Sequence, residues 1–263
     1  MEVATMGEHS GVSALILTLN EELEIRECIE TLQWADEIVV VDCGSTDSTC
    51  EIAKAMGARV MFRPWPDDYA EQRNFAASVA SNNWVICIDA DERVTPGLGQ
   101  EILSVLERPA FSSYSCPMRN YVYSRWMRHS GLARQWHTRV YDRRKCAWQR
   151  GVHEVLECPG GTGHLREYIE HYAYRSPEEI LEKVNRYTTM EAQALFAHGR
   201  KFSLFRLLYE SLGIFVYKYW VQLGVLDGAP GLAWASSLSY YRCMKWIKLG
   251  YYWFDSNGGN ARR

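Results

Sequence analysis

The stretch from Val85 to Glu92, with the sequence VICIDADE, constrains the fold more than any other part of the chain. Its apolar part has the length and composition of a buried parallel strand. Two carboxylates, Asp89 and Asp91, follow at a spacing that projects both side chains the same way. Ligand crevices of open α/β sheets lie at this carboxyl end. The stretch therefore predicts either a divalent-cation site that holds phosphate oxygens or a polar turn with helix-capping aspartates.

Apolar runs alternate with helical patterns before this stretch. The runs that read as strands cover 12–19, 37–42 and 59–62, and the helical patterns reach from Asn20 to about Trp34, from about 48 to 57 and from 69 to 80. Such alternation is typical of a parallel sheet with right-handed crossovers. From Ser113 the pattern weakens, and only short strands are predicted, over 114–118, 121–123 and 139–141.

The composition of the 263-residue chain, with 47% apolar and 13% aromatic residues, favours a folded enzyme over a disordered scaffold. The net charge of −3 is unevenly distributed: residues 196–263 hold nine Lys and Arg against three Asp and Glu, and residues 1–195 hold 20 against 29. This asymmetry indicates that the C-terminal part meets an anionic partner.

The eight cysteines are scattered and never spaced as C-x-x-C, which favours reduced thiols and a cytoplasmic protein over a zinc site. The chain does not open with a secretory pattern. It also lacks an uninterrupted apolar run of ~18 residues, so a spanning helix is not expected.

Four motifs, in order and spacing, resemble those of family 2 glycosyltransferases, which are inverting enzymes of the nucleotide-diphospho-sugar transferase (GT-A) fold. They are Thr18 to Glu21, Val41 to Asp47, Gln72-Arg73-Asn74 and Asp89 to Glu92. Cys43 departs from the acidic or small residue usual in the family. The resemblance implies an α/β, Rossmann-like, mostly parallel sheet flanked by helices. The predicted catalytic domain covers 1–175, with a nucleotide-binding part at about 11–110 and an acceptor part at about 111–175.

The resemblance also implies roles for individual residues. Asp42 would accept the ring N–H of uracil, and Arg73 would compensate diphosphate charge. Asp91, the catalytic member of the pair, would with Asp89 hold Mn²⁺ or Mg²⁺ against the diphosphate, stabilising the leaving UDP. The other predicted contacts of the UDP-sugar donor are Thr18, Asn20, Glu21, Ser45 and Ala90. Each of these residues also has a structural explanation, such as a turn, an ion pair or a strand-end hydroxyl.

Glu154 is the predicted catalytic base, because an inverting transfer needs a group that takes the proton of the acceptor hydroxyl. Related enzymes have a Val-His-Glu segment at this place, here Val152 to Glu154. The alternatives are that His153 and Glu154 form a structural pair, or that Asp142 is the base. His171 is predicted either as a third metal ligand or as a hydrogen-bonded core residue. Five arginines at 134, 139, 143, 144 and 150 indicate anionic ligands.

Residues 176–263 are predicted to form a helical extension. Ser176-Pro177 starts a helix that runs to about His198. Between 202 and 226 a wide apolar face is opposed by Ser203, Arg206, Glu210, Ser211 and Lys218. The basic-aromatic run at 240–254 is typical of an interfacial membrane anchor. A buried helical hairpin packed on the catalytic domain and a homodimer interface through these helices are the alternatives, and the apolar faces argue against a nucleic-acid partner.

The C-terminal pattern, with Leu226-Asp227-Gly228 and Lys245 to Leu249, resembles bacterial transferases that add glucose to the inner core of lipopolysaccharide. The resemblance implies a metal-dependent transfer of a hexose, glucose from UDP-glucose, to a lipid-linked saccharide at the anionic inner face of the cytoplasmic membrane. Other envelope or protein acceptors stay open. A nucleotidyltransferase is expected to have a Gly-rich phosphate-binding loop after the first strand, and residues 18–22 contain no glycine. A membrane-bound scaffold with an inactive transferase fold is the non-enzyme alternative.

Overall fold

The computed structural model of the protein describes residues 11–66, 68–133, 135–149 and 154–258. Its contacts divide the chain into two units. The sheet unit comprises Met1–Arg119 and Arg134–His171, and the helical unit comprises Asn120–Ala133 and Tyr172–Arg263. The functional boundary expected between 175 and 176 stays a prediction.

The N-terminal half of the sheet unit has the predicted alternation. Its strands are β1 Val12–Thr18, β2 Glu37–Asp42, β3 Arg59–Phe62 and β4 Trp84–Asp89, and its helices are α1 Ile25–Glu30, α2 Thr49–Ala55 and α3 Tyr69–Val79. The four strands are parallel in the order β3-β2-β1-β4. Val39, Val40 and Val41 are completely buried, because helices cover both faces of such a sheet.

The second half of the sheet makes it mixed rather than mostly parallel. It contains β5 Glu92–Val94, α4 Pro96–Glu107, β6 Ser113–Val122, β7 Arg125–Trp126, β8 Gln135–Asp142, β9 Ala147–Gln149, β10 Val155–Glu157, β11 Thr162–His164 and β12 Ile169–Tyr174. β8 runs antiparallel to β4 and to β6. The two strands expected over 114–123 are one, with a register shift between Tyr114 and Ser115. Helix α4 was not predicted, although Thr95 caps it and Pro96 occupies its first turn.

The expectation that all eight cysteines are reduced is wrong for two of them. Cys146 and Cys158 form a disulfide. They flank the antiparallel hairpin of β9 and β10, which brings the ends of the intervening loop together. The six others are free thiols.

The helical unit consists of α5 Pro177–Ala197, α6 Leu204–Val216, a π-helical turn Tyr217–Val221, a 3-10 turn Gly224–Asp227 and α7 Ala229–Gly258. Ser176 caps α5 as predicted. The basic-aromatic run lies within α7, where Lys245, Trp246 and Leu249 are buried. Trp246 and Leu249 pack against α5 and α6 within the helical unit, and the role of the run as an interfacial anchor stays a prediction. Within the described ranges, no helix is both long and apolar enough to cross a bilayer.

Candidate active site

The carboxylate of Asp42 fixes the turn that follows β2. Its Oδ2 accepts hydrogen bonds from the backbone N–H groups of Gly44 and Ser45, each at 2.9 Å. Its Oδ1 accepts bonds from the hydroxyls of Ser45 and, at 3.2 Å, Thr18. Burial disfavours the charged form, but the bonds from Ser45 and Gly44 outweigh burial and hold the pKa of Asp42 below its ordinary value. The predicted contact of this ionised acceptor with uracil stays a prediction.

Asn20 joins the loops that follow β1 and β2. Its backbone has φ 57°, a left-handed conformation that asparagine adopts more readily than most residues. Its Oδ1 accepts a bond from the N–H of Thr46 at 2.8 Å, and its own N–H donates to the hydroxyl of Ser45 at 2.8 Å. The N–H of Glu21 donates to the hydroxyl of Thr49 at 2.8 Å. The first two sequence motifs therefore meet at the carboxyl ends of β1 and β2.

Asp89, at the end of β4, is paired with two arginines. Nη2 of Arg73 lies 3.1 Å from its Oδ1, and Nη2 of Arg139 lies 2.9 Å from its Oδ2. Both arginines are buried, with 5% and 6% of their surface exposed. Burial alone would raise the pKa of Asp89, but the two guanidinium charges outweigh it and hold that pKa well below the ordinary value. Both carboxylate oxygens of Asp89 are therefore paired with arginine side chains.

Asp91 approaches His171 because β5 pairs with β12. Glu92 and His171 are register partners, and Nε2 of His171 lies 3.5 Å from Oδ2 of Asp91. Burial opposes protonation of the imidazole, yet the hydrogen bond and charge of Asp91 raise the pKa of His171. Carboxylate oxygen and imidazole nitrogen are both ligands of Mn²⁺. The pair fits a cation site that phosphate oxygens of a donor would complete.

The predicted ligand set of Asp89, Asp91 and His171 does not converge as three ligands. Within the part of the chain that the structure describes, no cluster of three or more His, Cys, Asp or Glu side chains is arranged to hold a metal ion. The reason is that Asp89 faces Arg73 and Arg139. Ala90, between the two aspartates, is buried. Asp91 and His171 stay the predicted ligands.

Glu154 stands beside the same arginine as Asp89. Its Oε1 lies 3.3 Å from Nε of Arg73, while Nη2 of that guanidinium contacts Asp89. One buried cation therefore links the predicted base to the end of β4. Val152 and His153, the other members of the predicted Val-His-Glu segment, lie outside the described residues.

The hairpin that carries Glu154 is attached to α3. The amide of Asn74 donates to the carbonyl oxygen of Trp148 and accepts from the N–H of Trp148, both at 2.9 Å. Trp148 also donates its indole N–H to the hydroxyl of Tyr141 at 3.1 Å. Two residues of the Gln-Arg-Asn motif therefore act here. Asn74 binds the backbone of the hairpin, and Arg73 contacts the side chain of Glu154.

A cavity of about 490 Å³ brings the predicted base and one predicted metal ligand together. Glu154 and His171 both line it, with Arg73, Asp89 and Glu92. The other lining residues are Met118, Gln135, Trp136, His137, Thr138, Arg139, Trp148, Val155 and Leu156. The volume is in the range of ligand-binding clefts.

Sequence reasoning missed the contribution of β8 to this cavity. The sequence predicts β8 only as a short strand over 139–141, and Arg139 only as one of five arginines that indicate anionic ligands. Burial, with the charges of Arg139 and His171, lowers the pKa of His137 to about 4, so its imidazole is neutral at pH 7. Polar residues directly before the buried pair Val140 and Tyr141 were the available signal.

The alternative base, Asp142, does not line this cavity. It is almost completely buried and accepts a bond from Nε of Arg144 at 2.9 Å. Arg143 donates to the carbonyl oxygen of Asn82 at 2.7 Å. With Arg139 paired to Asp89, three of the five arginines expected to bind anions contact protein acceptors instead. Arg134 and Arg150 lie outside the described residues.

Comparison with known proteins places this geometry in a family. The chain matches the sequence model of Glycosyl transferase family 2 over residues 13–172. The lipopolysaccharide core biosynthesis glycosyltransferase LpsC of Rhizobium meliloti is 32% identical over 216 residues, covering 75% of this chain and 76% of LpsC. An uncharacterized glycosyltransferase of Rickettsia conorii is 28% identical over 256 residues, covering 90% of this chain and 89% of the relative.

A solved structure of glucosyl-3-phosphoglycerate synthase from Mycobacterium tuberculosis, in complex with Mn²⁺, UDP and glucosyl-3-phosphoglycerate, is 24% identical, with a TM-score of 0.37. The match covers 46% of this chain and 50% of that one.

The family match includes the residues that build the site, from Thr18 to His171. It decides for the glycosyltransferase over the nucleotidyltransferase. It also agrees with the observed sheet, whose parallel half ends in the motifs of the nucleotide-diphospho-sugar transferase fold. The chain belongs to glycosyl transferase family 2.

Proposed function

We propose that the protein moves a hexose, glucose from UDP-glucose, onto a lipid-linked saccharide, with inversion at the anomeric carbon and with Mn²⁺ or Mg²⁺ bound. The proposed acceptor is the inner core of lipopolysaccharide, at the inner face of the cytoplasmic membrane. The relative named for lipopolysaccharide core biosynthesis supports this class of acceptor. The observation that carries the proposal is that Glu154 and His171 line one cavity.

The donor side of the proposed reaction lies at the strand ends. Asp42 is an ionised hydrogen-bond acceptor beside Thr18, as a uracil N–H requires. Asp91 and His171 would hold the cation. When bound, the cation would neutralise charge on the departing nucleotide diphosphate.

The acceptor side centres on Glu154. Its carboxylate would take the proton of the acceptor hydroxyl while that oxygen attacks the anomeric carbon from the face opposite UDP. Arg73 fixes the position of the carboxylate by an ion pair at 3.3 Å. Trp136, with 46% of its surface exposed, supplies an aromatic wall of the cavity against which a sugar ring can pack.

The test is a transfer assay with defined donors. Purified protein is incubated with lipopolysaccharide that lacks the outer part of its core, with Mn²⁺, and with labelled UDP-glucose, UDP-galactose, UDP-N-acetylglucosamine or GDP-mannose in turn. We expect transfer from UDP-glucose, loss of transfer in EDTA, and a β-linkage in the product because the donor is α-linked. Preference for another donor, transfer in EDTA, or an α-linked product would contradict the corresponding part of the proposal.

A further inference from the structure

Helix α6 presents a row of large apolar side chains outward. Leu204, Phe205, Leu208, Tyr209 and Leu212 are between 60% and 75% exposed. With Val216, they fall within an arc of roughly 140° at 100° per residue. We call these six residues the α6 face. A helix that packs on a soluble unit normally turns such a stripe toward the core.

The side of α6 opposite this face packs in the helical unit, through polar groups and through Leu207. Oε2 of Glu210 accepts bonds from Nζ of Lys245 at 3.2 Å and from Nε1 of Trp246 at 2.9 Å, both on α7. The carbonyl oxygen of Ser211 accepts a bond from the hydroxyl of Ser239 on α7 at 2.9 Å. These bonds fix the rotation of α6 about its axis. The outward position of the apolar face therefore follows from hydrogen bonds inside the unit.

Exposed aromatic and apolar side chains continue beyond the end of α6. In the π-helical turn, Tyr217, Trp220 and Val221 are 48%, 58% and 64% exposed. Soluble monomers rarely expose large contiguous apolar patches, whereas single exposed apolar residues are common. Tyr and Trp are enriched where a membrane meets water, because their rings combine an apolar body with a polar group.

The charges next to the α6 face are positive. Arg200, Lys201 and Arg206 are exposed. Glu210 is the only acidic residue between 200 and 226, and it bonds inward to Lys245 and Trp246. Anionic lipid headgroups complement this arrangement. A symmetric dimer through the same face would instead place two equally basic surfaces against each other.

We infer that the α6 face is a membrane-docking surface, on which the helix lies in the plane of an anionic bilayer with its apolar side among the acyl chains. The inference rests on the proposed function for the choice of a bilayer, since a lipid-linked acceptor resides in one. The residues of the α6 face contact the bilayer, and the buried positions of α7 do not.

The test is sedimentation of the full-length protein with vesicles, without donor, acceptor or metal. Vesicles of phosphatidylcholine with phosphatidylglycerol are compared with vesicles of phosphatidylcholine alone. The double variant Leu208→Glu, Leu212→Glu should reduce partitioning onto the anionic vesicles by about tenfold or more, because two charges would enter the apolar boundary. The matched control is Leu181→Glu, Met190→Glu on α5, at residues 52% and 60% exposed, and it should bind like the wild type.

A second variant tests the charges. Replacing Arg200, Lys201 and Arg206 by alanine should weaken binding to anionic vesicles by about tenfold or more and reduce its dependence on salt. The thermal unfolding midpoint is measured for every variant, and Leu208→Ser replaces the double variant if that one unfolds.

Three results would overturn the inference. They are a wild type that stays in solution with anionic vesicles, equal losses in the α6 and α5 variants, and a dimer that the α6 substitutions dissociate while vesicle binding is absent. Transfer to a detergent-dispersed acceptor is measured separately, so failure of docking and failure of the proposed glycosyl transfer are distinguishable.

Discussion

Nε2 of His171 lies 3.5 Å from Oδ2 of Asp91, and the pairing of β12 with β5 creates this proximity. Asp91 follows the end of β4, and His171 is far away in the sequence. The pair lies beside Asp89, whose oxygens are engaged by Arg73 and Arg139. The cation site of the proposed function therefore depends on one carboxylate and one imidazole, and each can be removed separately.

Replacing Asp91 by asparagine keeps the shape of the side chain and removes its charge. We expect Mn²⁺ to lose its effect on UDP binding, because the carboxylate is the charged ligand of the proposed site. The measurement is the thermal unfolding midpoint with UDP, with and without Mn²⁺; a ligand at a hundred times its Kd stabilises a protein by about 2.7 kcal/mol. Glu30→Gln, at an exposed position of α1, is the matched control. An undiminished Mn²⁺ effect in Asp91→Asn would place the cation elsewhere.

Replacing Glu154 by glutamine should abolish transfer while the donor still binds. Loss of a general base typically costs about 10²- to 10⁴-fold in rate. The transfer rate and the stabilisation by UDP-glucose with Mn²⁺ are measured on the same preparation. Glu157→Gln, at an exposed position of the same hairpin, tests whether the hairpin tolerates this change. Normal transfer by Glu154→Gln would mean that another group takes the proton.

Replacing Arg73 by methionine should destabilise the fold as well as the site. The guanidinium is buried and contacts both Asp89 and Glu154, so its removal takes the arginine partner from Glu154 and leaves Asp89 with Arg139 alone. Losing these charged hydrogen bonds should cost about 2 kcal/mol or more. Arg59→Met removes a comparable ion pair with Glu37 from a side chain that is 42% exposed, and it should cost at most about 1 kcal/mol. Free energies of unfolding in urea compare the two. Equal losses of unfolding free energy in the two variants would show that the buried ion pairs of Arg73 stabilise the fold no more than the exposed pair of Arg59.

The nucleotide half of the fold was predictable because its signals are local. Strands such as Val39-Val40-Val41 are buried on both faces and read as apolar runs, and the turn after Asp42 carries its own cap residues. The motif residues also lie at strand ends, where the topology of a parallel sheet collects them.

The acceptor half was less predictable because its contacts join distant segments. Nothing near Arg139 in the sequence indicates that it pairs with Asp89, and an arginine-rich segment reads equally well as an anion site. The side of α6 that packs on α7 is not readable from α6 alone for a related reason. An apolar helical stripe predicts a buried face, whereas here Glu210 and its partners on α7 decide which side is buried.

We expect Glu37, at the start of β2, to make the stability of the fold depend on pH in the acid range. Burial raises the pKa of this carboxyl, but hydrogen bonds from Ser13, Ser81 and Arg59 outweigh burial and lower the pKa from 4.5 to about 2. Because the pKa is lower in the folded state, Glu37 stabilises the fold fully above pH 4.5. That contribution is lost as the pH falls toward 2.

Glu37→Gln should therefore lower the free energy of unfolding by about 2 to 3 kcal/mol at pH 7, and the gap to the wild type should shrink at pH 3. Urea unfolding at both pH values measures the gap, with Glu51→Gln, at an exposed position of α2, as the control. A gap that is the same at both pH values would mean that the hydrogen bonds of Glu37 stabilise the fold without favouring its charged form, because a carboxyl bonded equally well in both protonation states has no linkage to pH.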